Sequence, residues 1–190
     1  MLAPRILDNQ RPEGISCHRC DDASYTAARA CGLYEGALRA SIIALKREPR
    51  VSQRLISLMS DLCRRAPLNR ATRILPVPLH PDREKQRGFN QAAVIAEALA
   101  AAAQIPFADQ VLARTQHTER HRAGMDAQSR RESVENAFVV LHPRVVDGEC
   151  ILLVDDVFTT GATASACAIA LRKAGAKEIL VLTLARPLHS

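Results

Sequence analysis

The chain has no tryptophan, and aromatic residues make up only 3% of its 190 positions. With so few rings, a core must be assembled from Ala, Leu, Ile and Val, and the 47% hydrophobic content is enough to build a sizeable one. No apolar run approaches the ~18–20 residues of a membrane span, so no membrane partner is expected. The first residues, MLAPRILDNQRPEG, have no apolar stretch of the kind that opens a signal peptide, and the default compartment is the cytoplasm. Six cysteines stand scattered at 17, 20, 31, 63, 150 and 167, which in that setting is no disulfide framework. There is no GxxxxGK[ST] nucleotide loop and no GxGxxG dinucleotide turn. Between Leu55 and Gly88 no aromatic residue interleaves the basic ones, so a base-stacking platform for nucleic acid is unsupported.

The net charge is +6, and its excess is concentrated. Residues 46–87 hold eleven Lys or Arg against four Asp or Glu, a local +7. Such a surface suits phosphorylated metabolites or nucleic acid, or is simply a solvated basic face.

The most informative stretch is 151–171, ILLVDDVFTTGATASACAIAL. The apolar run 151–154 reads as a strand buried on both faces. Asp155 and Asp156 follow it on an exposed loop, then the hydroxyls of Thr159 and Thr160, then Gly161, Ala162 and Thr163. From Thr163 the pattern is helical and alanine-rich, with Gly175 as its stop, and 177–185 reads as another buried strand. A loop between a strand end and a helix start presents unpaired N–H groups and the positive end of the helix dipole, which suits a phosphate. Two carboxylates beside that cradle make sense against a neutral diol, or against a Mg²⁺ that the ligand brings. A phosphate at one end and a diol at the other describe a ribose 5-phosphate. The competing interpretation is a plain polar turn, which requires neither paired acids nor three hydroxyls.

Earlier segments are read in the same way. Cys17, His18, Arg19 and Cys20 form a CxxC, half of a zinc site or a pair of free thiols, with Cys31 and His18 as nearby candidate ligands. Helices are expected over 34–48 and 52–66, and a strand over 73–80 whose Pro76 and Pro78 mark a strand end or a sheet edge. The segment after it is read as a loop on which Arg83, Lys85 and Arg87 converge before Gly88, with Asn90 capping a helix over 91–103. A weak strand over 111–114 precedes about 19 polar residues without a clear element, a lid or a plain surface loop. A strand over 137–141 follows.

Four segments then carry a family resemblance: GLYEGALRASIIALK (32–46), ILPVPLHPDREKQRGFNQA (74–92), RRESVENAF (130–138) and ILLVDDVFTTGAT (151–163). Together they resemble the ComF-type proteins, a family linked to competence for DNA uptake, of the type I phosphoribosyltransferase superfamily. The resemblance implies an α/β, Rossmann-like fold with a mostly parallel sheet flanked by helices, here over 33–190. It implies that 1–32 is the remnant of a zinc ribbon, of which the Cys17 and Cys20 pair is left. The implied ligand is PRPP, or a related phosphorylated ribose, with Mg²⁺. Its 5-phosphate would lie on Thr159, Thr160, Gly161, Ala162 and Thr163, and its ribose near the catalytic pair Asp155 and Asp156. Its pyrophosphate would meet Arg83, Lys85, Arg87 and Gly88, under a lid that carries Arg114, Arg122 and Arg131. Purine-salvage relatives place an aspartate at the position of Thr159, which argues against a purine acceptor. Binding without turnover, a nucleic-acid partner and a homodimer remain open.

Overall fold

The structure, a computed structural model, describes residues 23–115 and 137–188. Along the chain the elements are β1 (Ala27–Leu33), α1 (Gly36–Leu45), α2 (Gln53–Cys63), β2 (Arg73–Pro76), α3 (Pro81–Arg87), α4 (Gln91–Ala103), β3 (Leu112–Arg114), β4 (Phe138–Val140), β5 (Cys150–Val157), α5 (Ala162–Lys173) and β6 (Glu178–Arg186). Four strands form a parallel sheet in the order β1–β6–β5–β2, and β3 pairs antiparallel with β4 apart from it. The fold is α/β with a parallel sheet between helices, as the sequence predicts.

Strand β5 organises the core. Ile151, Leu152, Leu153 and Val154 are all fully buried. Because strand side chains alternate, Ile151 and Leu153 pack on one face with Cys167 and Leu171 of α5. Leu152 and Val154 pack on the other with Ile42 of α1, Met59 of α2, and Ile95 and Leu99 of α4. Burial of each such Ile or Leu contributes roughly 2 kcal/mol. The same alternation carries on into the acids, which puts Asp155 at the end of the α5 face and Asp156 at the end of the face covered by α1, α2 and α4.

Three features differ from the sequence reading. The sheet reaches back to Ala27, inside the segment 1–32 set apart above. Strand β1 was not foreseen because its AARACGL has no apolar alternation. Strand β5 runs on through Asp155 and Asp156, with Asp155 in register with Thr183 and Val157 with Ala185 of β6, so the acids stand on a strand end and are half-buried. The segment after β2 is not a loop but helix α3. It is polar all round, which hides its period. Pro81 opens it behind the His80 ring, which accepts the Asp82 N–H at 3.2 Å, and Gly88 closes it in the left-handed region at φ 83°.

Pro76 does mark an edge strand, and the segment 106–108 covers it: Ile74 N–H donates to the Pro106 carbonyl at 2.8 Å. Asn90 caps α4 as expected. Its Oδ1 accepts the Ala92 N–H at 3.0 Å, and its Nδ2 donates to the Val77 carbonyl at 3.0 Å. Val77 N–H in turn donates to the Val154 carbonyl at 2.9 Å, so one side chain ties the start of α4 to the exit of β2 beside β5. Asn90→Ala is expected to cost about 2 kcal/mol in urea unfolding, a lost cap plus an orphaned carbonyl. A loss below ~0.5 kcal/mol would mean the tie is dispensable.

Candidate active site

The two acids lie side by side at the carboxyl end of the sheet. The Asp156 N–H donates to Oδ1 of Asp155 at 2.8 Å. Burial, and then the neighbouring Asp156 carboxylate, push Asp155 well above the usual carboxylate range, while Lys46 pulls in the opposite direction. Nζ of Lys46 stands 3.8 Å from Oδ2 of Asp156, with 40% and 21% of the two side chains exposed. Lys46 is the C-cap of α1, so the packing of Ile42 and Leu45 sets where its ammonium falls. In the sequence it was one cation of a basic run, with nothing to single it out.

A raised carboxyl pKa has a definite consequence for the ligand-free protein. Below the ordinary aspartate value both folded and unfolded chains hold the Asp155 proton, and it contributes nothing to pH dependence. As pH rises, the unfolded chain ionises first, and stability falls until the folded proton is lost too. Asp155→Asn keeps the oxygen that accepts from Asp156 and removes that loss. Variant and wild type are expected to melt within about 1 °C of each other near pH 4, and the variant about 4 °C or more higher near pH 8. Parallel melting curves across that window would show that Asp155 ionises freely.

The hydroxyl loop follows directly. Thr159, Thr160, Ala162 and Thr163 are exposed, while Gly161 is buried at φ 79°, where side chains other than glycine are strained. A Cβ at Gly161 would stand 2.8 Å from Cζ of Phe158 and 2.8 Å from the Tyr25 hydroxyl. These two rings meet edge to face with centroids 6.1 Å apart, propping the loop from beneath. The glycine is thus needed for backbone conformation and for these rings. Tyr25 was missed because it lies far away in sequence. The 12-residue helix α5 starts at Ala162 with no side-chain cap from Gly161. Its first-turn N–H groups have no partner within the helix. The Ala162 N–H is met at 3.3 Å by the Thr160 hydroxyl of the same loop.

The other predicted residues divide. Arg83, Lys85 and Arg87 do not converge as they would on a loop. On α3, at about 100° per residue, Arg83 and Arg87 share a face and Lys85 lies about 160° from Arg83 and from Arg87. Arg114 lies on β3, 5.6 Å from the Phe138 ring centroid. It is within electrostatic reach of the buried Cys167 thiol, as is Asp155, which puts Arg114 on the α5 side of the acids. Arg122, Arg131, Cys17 and Cys20 lie outside the described residues. Cys31 is packed in the core, and burial, with Cys63 beside it, pushes its thiol up to about 12. Several cations of the basic stretch are internally paired: Arg50 with Glu48, Arg64 with Asp61, Arg70 with Glu178 and Arg73 with Glu149.

Among the described residues no three His, Cys, Asp or Glu cluster in a way that could hold a metal. Asp155 and Asp156 alone fit a Mg²⁺ that keeps most of its oxygen ligands from water and from the ligand's phosphates. No helix among the described residues is long and apolar enough to cross a membrane.

The family profile of the phosphoribosyl transferase domain matches residues 87–190, a span that includes β5, the acids and the hydroxyl loop. The chain belongs to the phosphoribosyl transferase domain family. Competence protein F of Haemophilus influenzae is 39% identical over 114 residues, covering 60% of this chain and 49% of that protein. DNA utilization protein YhgH of Escherichia coli K12 is 34% identical over 116 residues, covering 61% and 50% respectively. Competence protein ComFC of Streptococcus pneumoniae is 34% identical over 110 residues, covering 58% and 46%. The chain spans about half the length of the curated relatives it matches. The resemblance to ComF-type proteins read from the sequence is borne out by these relatives, and the α/β fold by the parallel sheet between helices.

Proposed function

We propose that the protein binds PRPP, or a closely related 5-phosphorylated ribose, across the end of β5 and transfers the phosphoribosyl group to a nitrogen acceptor. The single observation that carries this is the direct succession of two half-buried carboxylates, a hydroxyl loop closed by a left-handed glycine, and the start of a helix. The loop and first turn of α5, with the hydroxyls of Thr159, Thr160 and Thr163, receive the 5-phosphate. Asp155 and Asp156 accept from the ribose hydroxyls and stabilise positive charge that develops on the sugar ring. A new C1–N bond forms as the C1–O bond to pyrophosphate breaks. The diphosphate leaves with the bonding pair, and the acceptor nitrogen releases its proton to solvent. Mg²⁺, when it accompanies the donor, neutralises charge on the leaving diphosphate. The cationic groups near the site act on the same charge.

A second reading, binding without turnover, is favoured by the absence of any titratable side chain from Phe158 to Thr163 that could serve as a base. Calorimetry with PRPP and with ribose 5-phosphate, each with and without Mg²⁺, tests the binding step. Both ligands should bind, PRPP more tightly with Mg²⁺. Absence of heat with either would remove the proposal. Pyrophosphate release against a panel of nitrogen acceptors then separates transfer from binding alone.

A further inference from the structure

Ser24, Tyr25 and Thr26, just ahead of β1, engage both ends of α5. At its last turn, Nε of Arg172 donates to the Ser24 carbonyl at 2.8 Å. At its start, the Tyr25 hydroxyl stands 2.8 Å from where a Cβ of Gly161 would lie. Between the two, the Thr26 N–H donates to the Ile179 carbonyl of β6 at 2.7 Å, which fixes the stretch to the sheet. Phe158 meets the Tyr25 ring edge to face, but Phe158 belongs to the hydroxyl loop and moves with it. Tyr25 is anchored from outside the loop, by backbone groups bonded to α5 on one side of it and to β6 on the other. Its half-buried ring packs on the same core as Cys167 and Leu171 of α5. The ring is therefore a fixed stop behind a loop whose Thr159, Thr160 and Thr163 face solvent. The stretch lies outside the span 87–190 that the family profile matches.

We infer that Tyr25 is a positioning residue for the loop that takes the 5-phosphate. The assignment rests on the proposed function above and names what holds that subsite in shape. A phosphate bound by backbone N–H groups gains most when those groups already point at it, because ordering a loop on binding offsets affinity. Gly161 makes the turn into α5 at a φ of 79° and has no side chain of its own to brace it. The Tyr25 hydroxyl fills the space beside it. Without the ring, Gly161 is free to sink toward the core and to carry the N–H groups of Ala162 and Thr163 away from the phosphate. Arg172 acts on the same element from its far end, where its bond to Ser24 keeps α5 from sliding along its axis.

Tyr25→Leu keeps an apolar side chain and deletes the stop. Amide hydrogen exchange, and calorimetry with ribose 5-phosphate, are to be compared with the wild type. The amides to follow are Ala162, bonded to the Thr160 hydroxyl, and Ser165, bonded to the Gly161 carbonyl. Both should exchange about 10-fold faster or more in the Leu variant, while Cys167 and Leu171 of the same helix stay within about 2-fold. Ribose 5-phosphate affinity should fall about 5-fold or more, and Tyr25→Phe, which keeps the ring against Phe158, should recover it to within about 2-fold of wild type. Arg172→Met, a surface change that leaves the ring in place, should speed exchange at the same two amides by about 3-fold, and it reports even where the Leu variant does not fold. Unchanged exchange at Ala162 and Ser165, a rise shared equally along α5, unchanged affinity in the Leu variant, or a loss that Phe does not recover would overturn the assignment and leave the proposed function standing. A wild type that binds no ribose 5-phosphate would remove both.

Discussion

Gly161→Val is expected to lose both ligand binding and ~2–5 kcal/mol of stability in urea unfolding. The backbone accounts for the firmer part. A φ of 79° in a β-branched residue costs about 1–3 kcal/mol, and nothing nearby can relieve it without moving the start of α5. The side chain adds the rest, because the Phe158 ring edge and the Tyr25 hydroxyl both stand 2.8 Å from the new Cβ. Ring ends can shift, so this overpacking is worth about 1–3 kcal/mol at most. Gly161→Ala in a Tyr25→Phe background separates the two contributions. Removing the hydroxyl should restore part of the loss and leave the backbone cost. A valine variant with an unchanged midpoint would mean that the loop readily adopts another conformation.

Asp155→Asn with Asp156→Asn should act in the reverse sense. The double variant is expected to melt at or above the wild-type temperature near pH 8 and to lose ribose 5-phosphate and PRPP binding by ~100-fold or more. Two adjacent carboxylates at the end of a buried strand destabilise each other and the fold, and burial holds Asp155 partly against ionising at all. Lys46, 40% exposed, can return to solvent when its partner is neutralised, so the pair's loss costs little. Two amides cannot replace two carboxylates as acceptors for a vicinal diol and a Mg²⁺-bearing ligand. Each buried hydrogen bond to a charged group is worth ~1.5–3 kcal/mol, which is why the loss is large. Gain of stability with loss of ligand is the mark of groups kept for binding. Unchanged affinity in a folded double variant would take the acids out of the site.

The β5–α5–β6 unit was legible because its signals are local. A four-residue apolar run, a glycine in a turn and an alanine-rich helix each follow from residues that adjoin in sequence. The Asn90 cap and the Pro76 edge were legible for the same reason. What escaped lacked a local signal or depended on tertiary contact. Strand β1 is a strand by virtue of its pairing with β6, since its own residues show no alternation. Helix α3 buries nothing, so only Pro81 and Gly88 betray it. Lys46 and Tyr25 reach the site from the end of α1 and the chain ahead of β1, and no spacing rule connects them to Asp156 or Gly161. The acids read as loop residues because polar side chains on a strand end look like a loop until the neighbouring strand is known.

A crystal structure with ribose 5-phosphate bound tests the central claim most directly. The account predicts the phosphate within ~3 Å of the N–H groups at the start of α5 and the ribose hydroxyls within ~3 Å of Asp155 and Asp156. A sugar phosphate held elsewhere on the protein, or seated with its phosphate against the carboxylates, would contradict it.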